Sequence, residues 1–180
     1  MPRLIDTAGV ELKNPWHLLP RDGALVAPDQ PPASGKLEDA LASPTSHLIV
    51  NATLWQQHKQ ELLASGKQIA VWLDSDQHAD MIAADLARIP LVALNFPGFM
   101  DGRSYSTAVV LRKHHGYKGE LRAIGDVLRD QLFYMKRCGF TTFDLRDTVK
   151  LEDARRAFHD YSASYASTVE EPTPLFRRRG

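Results

Sequence analysis

Five short apolar runs, beginning at His47, Ile69, Leu91, Leu121 and Thr142, recur at roughly 22-residue intervals, widened once to about 30, and each is followed by a stretch with helical patterning. This alternation constrains the fold most. Successive parallel strands need a crossover, so the repeat predicts an α/β chain of about five strand–helix units forming a mainly parallel sheet, with right-handed connections that lay helices over it. The tight spacing suits an open doubly wound sheet or a partial (β/α) barrel, because 180 residues is short for a closed eight-unit barrel of ~250 residues.

The helices carry their own signals. Thr53-Leu54-Trp55-Gln56 has the form of a capping box, and Gly66 suits a left-handed helix end. Ala79, Ile82, Ala83 and Leu86 follow the i, i+3, i+4, i+7 spacing of an amphipathic second helix. Three more are expected at about Ser104 to His114, Val127 to Cys138 with Gly139 as its stop, and Leu151 to Tyr161, the last with Leu151, Ala154, Phe158 and Tyr161 facing inward. Ahead of them, the pieces around Leu4-Ile5, Trp16 to Leu19 and Ala24 to Val26 are separated by turn residues and read as a small β-rich N-terminal cap, a set of short strands or a hairpin. Pro28, Pro31 and Pro32 make residues 27–36 a loop. The expected organisation is a cap and linker at 1–36, a main body at 37–165 and a flexible tail at 166–180, with cap and body in one domain.

Composition removes several function classes. Lys and Arg number 22, as do Asp and Glu, so the chain lacks the cationic excess that drives general nucleic-acid binding. The one cysteine, Cys138, can neither close an intrachain disulfide nor ligate an iron–sulfur cluster unaided. The first residues, MPRLIDTAGVELKNPW, lack the apolar core of a secretory signal, and no run approaches a membrane span. A cytoplasmic protein is expected.

In parallel α/β folds ligands bind at the carboxyl ends of the strands, where helix N-termini also point. Those ends carry Asn51, Asp74, Asp76, Asn95, Gly125, Asp126, Arg146 and Asp147, which should share one rim; the alternative is that the acids cap helices and the amides turn the chain. The longest connection follows Asn95. Pro97-Gly98 suits a type II turn, after which Asp101, Arg103, Ser104, Tyr105 and Ser106 cluster where a helix begins. An arginine fork, hydroxyls and free helix N–H groups would hold an oxyanion or carboxylate, unless Arg103 merely pairs with Asp101 and Tyr105 packs.

Gly125 would let a phosphate approach the next helix, but Asp126 competes for the same N–H groups. Arg129 and Asp130 read as an exposed pair or a partner-contact patch, and Gln131 as a surface residue unless its helix face turns toward the rim. His114 and His115 are adjacent, not spaced i, i+4 as a helical metal pair would be, so no metal is expected. Cys138 reads as a buried thiol. The fingerprints GxGxxG, GxxxxGK[ST] and GxSxG are missing, and no cofactor is evident.

The strings PLVALNFPGFMDGRSYS and GYKGELRAIGDVLRDQLFYMKRCGF, in this order between Pro90 and Phe140, resemble the bacterial domain-of-unknown-function family 934, which carries the label of an oxidoreductase involved in sulfite reduction. Leu4-Ile5 to Trp16 and Gly23 to Pro28 resemble it more loosely, while His114-His115 and the arginine-rich tail depart from its usual pattern. The resemblance implies a role beside assimilatory sulfite reductase in bacteria, with that enzyme or its electron donor as partner. It transfers no catalytic residue. Reducing sulfite to sulfide is a multi-electron step that needs haem-type and iron–sulfur centres, so the expectation is an accessory protein; the competing reading is a small enzyme holding an anionic small molecule at the rim.

Overall fold

The structure, a computed structural model, describes residues 3–21, 36–42, 44–161, 167–169, 171–174 and 177, with the backbone alone at 39 and 40. The apolar piece at 24–26, the resemblance at 23–28, nearly all of the loop at 27–36 and parts of the tail lie outside them.

In chain order the elements are β1 (Arg3–Asp6), β2 (His17–Leu18), α1 (Leu37–Ala42), β3 (His47–Asn51), α2 (Ala52–Ala64), β4 (Gln68–Leu73), two 3-10 turns (Ala79–Met81 and Ala83–Asp85), β5 (Leu91–Phe96), α3 (Arg103–Lys113), β6 (Glu120–Gly125), a 3-10 turn (Arg129–Gln131) running into α4 (Leu132–Cys138), β7 (Thr142–Leu145) and α5 (Leu151–Ala157). All seven strands join one sheet, in the order β1-β7-β6-β5-β4-β3-β2. From β2 to β7 each strand lies beside its successor and parallel to it. β1 runs antiparallel to β7, from Arg3 opposite Leu145 to Asp6 opposite Thr142.

Two expectations are corrected here. The sheet is mixed instead of mainly parallel, because the free edge of β7 is taken by the N-terminal strand. Nor is it doubly wound: a doubly wound sheet reverses its strand order at a switch point, whereas this order advances without reversal and the sheet curls into a half-barrel. The N-terminal residues, expected as short strands or a hairpin in one domain with the main body, are built into the sheet itself. A tight return after β1, with Gly9 N–H donating to Asp6 O at 3.0 Å, brings Glu11 back beside Ile5 as a minimal hairpin. β2 then joins the opposite edge of the sheet.

Strand alternation gives the sheet two buried faces. On the outer face Leu48, Val50, Val71, Leu73, Val92, Leu94, Phe96, Leu121, Phe143 and Leu145 pack with Trp55, Leu111, Leu132, Met135 and Phe158 from the helical side. On the inner face Ile49, Ala70, Trp72, Leu91, Ala93 and Ile124 form a smaller cluster covered by Trp16 and Leu18. The indole N–H of Trp72 donates to the Leu19 carbonyl at 2.8 Å, which ties the covering segment to the middle of the sheet.

Local corrections follow from competing geometry. Asn51, not Thr53, caps α2, accepting from the Thr53 N–H at 3.0 Å. The amphipathic second helix is replaced by two 3-10 turns broken at Ile82 (φ −122°); Ala79, Ile82 and Leu86 are still buried, because three-residue spacing serves a 3-10 turn as well as an α-helix. α5 stops at Ala157, and Tyr161 is exposed instead of facing inward, resting on Phe133 with ring centroids 5.1 Å apart.

The inner face makes a direct prediction. Trp72→Ala removes a fully buried ring and leaves the Leu19 carbonyl unpaired, so it should cost ~3–5 kcal/mol, read as a shift in the urea midpoint.

Candidate functional site

The carboxyl ends of β3, β4 and β5 meet in a buried amide–carboxylate network. Asn51 Nδ2 donates to Gln77 Oε1 at 2.9 Å while Gln77 Nε2 donates back to Asn51 Oδ1 at 3.0 Å and to Thr53 Oγ1 at 2.9 Å. Gln77 Oε1 also accepts the Asp74 N–H. Asp74 Oδ1 accepts from Asn95 Nδ2 and from the Ser75 N–H, each at 2.9 Å. Its other oxygen meets Arg21 at 3.1 Å, and the same arginine approaches Asp76 at 3.4 Å. Asp74 and Asn95 therefore come together as expected, but as parts of a closed network.

Between β5 and α3 the chain turns at Gly98 and enters the helix through Gly102. Arg103 Nε donates to Asp101 Oδ1 at 2.9 Å, and its Nη2 donates to Asp101 Oδ2 at 2.6 Å and to Ser75 Oγ at 2.9 Å. These bonds to Arg103 hold the Asp101 carboxyl far below the ordinary carboxylate range. Ser104 is buried and donates to the Asn95 carbonyl at 2.5 Å, pinning α3 to the strand end. Tyr105 packs edge-on between Phe96 and Tyr134, with both centroid distances 5.0 Å, and burial pushes its phenol up to about 12. The loop's apolar tip points away from the protein: Phe99 is 55% exposed and Met100 92%.

At the end of β6, Gly125 has φ +90°, and a Cβ there would collide with Asn95 Oδ1 and stand 2.5 Å from the Phe96 carbonyl. Only glycine fits both the backbone and the space. No phosphate cradle opens behind it, since the Asp126 N–H donates to the Phe96 carbonyl at 2.7 Å and its carboxylate accepts from Arg146 Nη1 at 2.8 Å. Arg129 pairs with Asp160 at 2.7 Å instead of with Asp130, which is exposed. Gln131 is buried, contrary to its reading as a surface residue, because its Oε1 accepts the Leu128 N–H that the 3-10 turn leaves unpaired.

Below the rim the inner face carries a polar layer. Arg122, 2% exposed, donates to Glu120 Oε1 at 3.0 and 2.8 Å and to Asn14 Oδ1 at 3.0 Å; Thr142 donates to the same glutamate oxygen at 2.6 Å. One strand step above Thr142 stands Asp144. Its Oδ1 is closed off from solvent without a hydrogen-bond partner among the described residues. Burial pushes this carboxyl up to about 6, with Arg122 opposing the shift and Asp147 adding to it.

The sequence matches the family described as "Bacterial protein of unknown function (DUF934)" over residues 70–176, more than half of the chain. The chain belongs to this family. No curated protein matches it. The family match begins in β4 and takes in the rim from Asp74 to Arg146, while Arg21 and Asn51 reach that rim from outside it.

Among the described residues no group of three or more His, Cys, Asp or Glu is placed to hold a metal ion, and no helix is long and apolar enough to cross a membrane. His115 Nε2 lies 3.3 Å from Asp80. Cys138 is buried, and burial pushes its thiol up, which disfavours the reactive thiolate. Several rim and inner-face residues carried a weak signal that strand-end reading passes over. Arg122 and Asp144 are charges inside otherwise apolar strands, and Gln77 is a polar residue just past a strand end.

Asp144 has a testable pH signature. Because its carboxyl holds a proton more tightly in the folded chain than in the unfolded one, its favourable contribution is complete below about pH 4 and is lost as pH rises through 6. Asp144→Asn, which has no proton to lose, should gain ~1–3 kcal/mol over the parent chain at pH 8 and nothing at pH 4, by urea denaturation at both pH values.

Proposed function

We propose that the chain is an accessory protein of assimilatory sulfite reduction in the bacterial cytoplasm, acting with sulfite reductase or its electron donor through the carboxyl-end rim and carrying no redox centre of its own. The observation that carries this reading is the loop between β5 and α3. Its one arginine fork is taken up by Asp101 and Ser75, whereas Phe99 and Met100 project into solvent at the loop tip and Tyr134, 53% exposed, flanks the first turn of α3 through its contact with Tyr105. Exposed aromatic and methionine side chains beside fixed charges suit a protein contact, where such residues supply most of the binding energy.

Charge distribution supports the same end of the molecule. Asp76, Asp130 and Asp147 stand among the rim carboxylates, and of the rim arginines Arg21 and Arg103 lie against carboxylates of this chain. A partner with a basic border around an apolar pocket complements this surface. The competing reading, an anionic small molecule bound by Arg103, requires that arginine to give up a bidentate carboxylate which is already in place.

Binding of the purified chain to purified sulfite reductase or its electron-donating component tests the proposal. Met100→Asp should weaken the complex at least tenfold with an unchanged melting temperature, and Arg103→Ala should have the smaller effect. The proposal fails if neither component binds the parent chain and a deletion strain reduces sulfite at the normal rate. Loss of function in Arg103→Ala with Met100→Asp fully active would favour the small-molecule reading.

A further inference from the structure

At the opposite end of the sheet, where the parallel strands begin, Arg112 in the last turn of α3 is fixed by backbone carbonyls alone. Its Nε donates to Gly139 O at 2.9 Å, and its Nη1 donates to Tyr117 O at 2.7 Å and Gly119 O at 2.9 Å. The guanidinium lies 5.5 Å from the centre of the Tyr117 ring. Gly139 makes this close approach feasible: φ is +102°, and a Cβ there would stand 2.6 Å from Arg112 Cγ. Among the described residues Nη2 has no hydrogen bond, and no carboxylate pairs with the side chain. An arginine does not lose its proton in a protein, and burial works against its charged form. Among the described residues the head group is thus a rigidly held, half-buried positive charge compensated by dipoles alone.

A cavity of about 370 Å³ opens beside it, with Arg112, Lys118, Lys136, Tyr117, Phe140 and Thr141 among its lining residues. Among its described lining residues Arg112 and Lys118 bring positive charge to the site, and none is Asp or Glu. The volume falls in the ~300–1,000 Å³ range of small-molecule sites. Although α3 and α4 end nearby, a helix C-terminus counts for roughly half a negative charge, less than one of these cations.

We propose that this cavity binds a small molecule bearing a tetrahedral oxyanion, a phosphate or sulfate group, held by Arg112 Nη2 and the Lys118 ammonium, with its less polar part against Tyr117 and Phe140. A guanidinium already fixed through Nε and Nη1 offers its remaining N–H pair without losing further side-chain freedom, which is the preorganisation that tight oxyanion binding needs. The site is separate from the rim and does not depend on the accessory reading.

Calorimetric titration of the full chain at low ionic strength with inorganic phosphate, pyrophosphate and sulfate, with sodium chloride as control, tests the proposal. Saturable binding of at least one of the three is expected, and the preferred anion separates a phosphate-bearing ligand from a sulfate-bearing one. Lys118 is exposed and makes no hydrogen bond or ion pair among the described residues, so Lys118→Ala should weaken binding at least fivefold and Lys118→Glu abolish it, both with an unchanged melting temperature. The absence of saturable binding, an equal response to chloride, or unaltered binding by Lys118→Glu would overturn the assignment.

Discussion

Parallel strands present two faces that both have to leave water, and that requirement shapes the rest of this molecule. Strand order advances without reversal, and among the described residues the helices gather over one face and none covers the other. The chain resolves this with its own N-terminal residues, which cross the concave side from one edge of the sheet to the opposite one. Asn14 meets Arg122, Trp16 and Leu18 fill the apolar centre, and the Leu19 carbonyl receives the Trp72 indole N–H. Arg21 then emerges at the strand ends beside Asp74 and Asp76. The charge that Arg21 brings to the rim is therefore a by-product of how the inner face is closed.

The same concave face separates two kinds of buried charge. Glu120, Arg122, Asn14 and Thr142 satisfy one another, which offsets the desolvation of the arginine. Asp144, one step further along β7, has no such arrangement for its Oδ1. An unsatisfied carboxyl oxygen next to a satisfied network is a local cost that the packing around it sustains.

The five central strands were legible because each is an apolar run buried on both faces, a pattern that few other environments produce. The rim was legible in position, since polar residues at consecutive strand ends of a parallel sheet must share one side, and Asp74 with Asn95 and Asp126 with Arg146 do meet there. What the side chains do at the rim was not legible. Whether Arg103 holds Asp101 or a ligand depends on a rotamer and on the distance to Ser75, which belongs to another loop. The burial of Gln131 turned on one backbone N–H left unpaired by a 3-10 turn, and the replacement of the second helix turned on the three-residue spacing that both helix types share. Where the N-terminal strands would pair was not legible, because their three apolar residues, Leu4, Ile5 and Leu18, carry no information about which distant edge they will complete.

That last point bears on how the chain reaches its final form. Arg3–Asp6 joins the sheet against Thr142–Leu145, so although one edge of this strand closes locally on Val10 to Leu12, its other edge must wait for residues far along the chain before its backbone hydrogen bonds can form. Contacts of such sequence separation slow folding, and until they close, β7 is an open edge able to accept a strand from another molecule. Vectorial synthesis thus leaves this protein with a late, single-step closure, in which one four-residue segment converts an adhesive margin into a finished one.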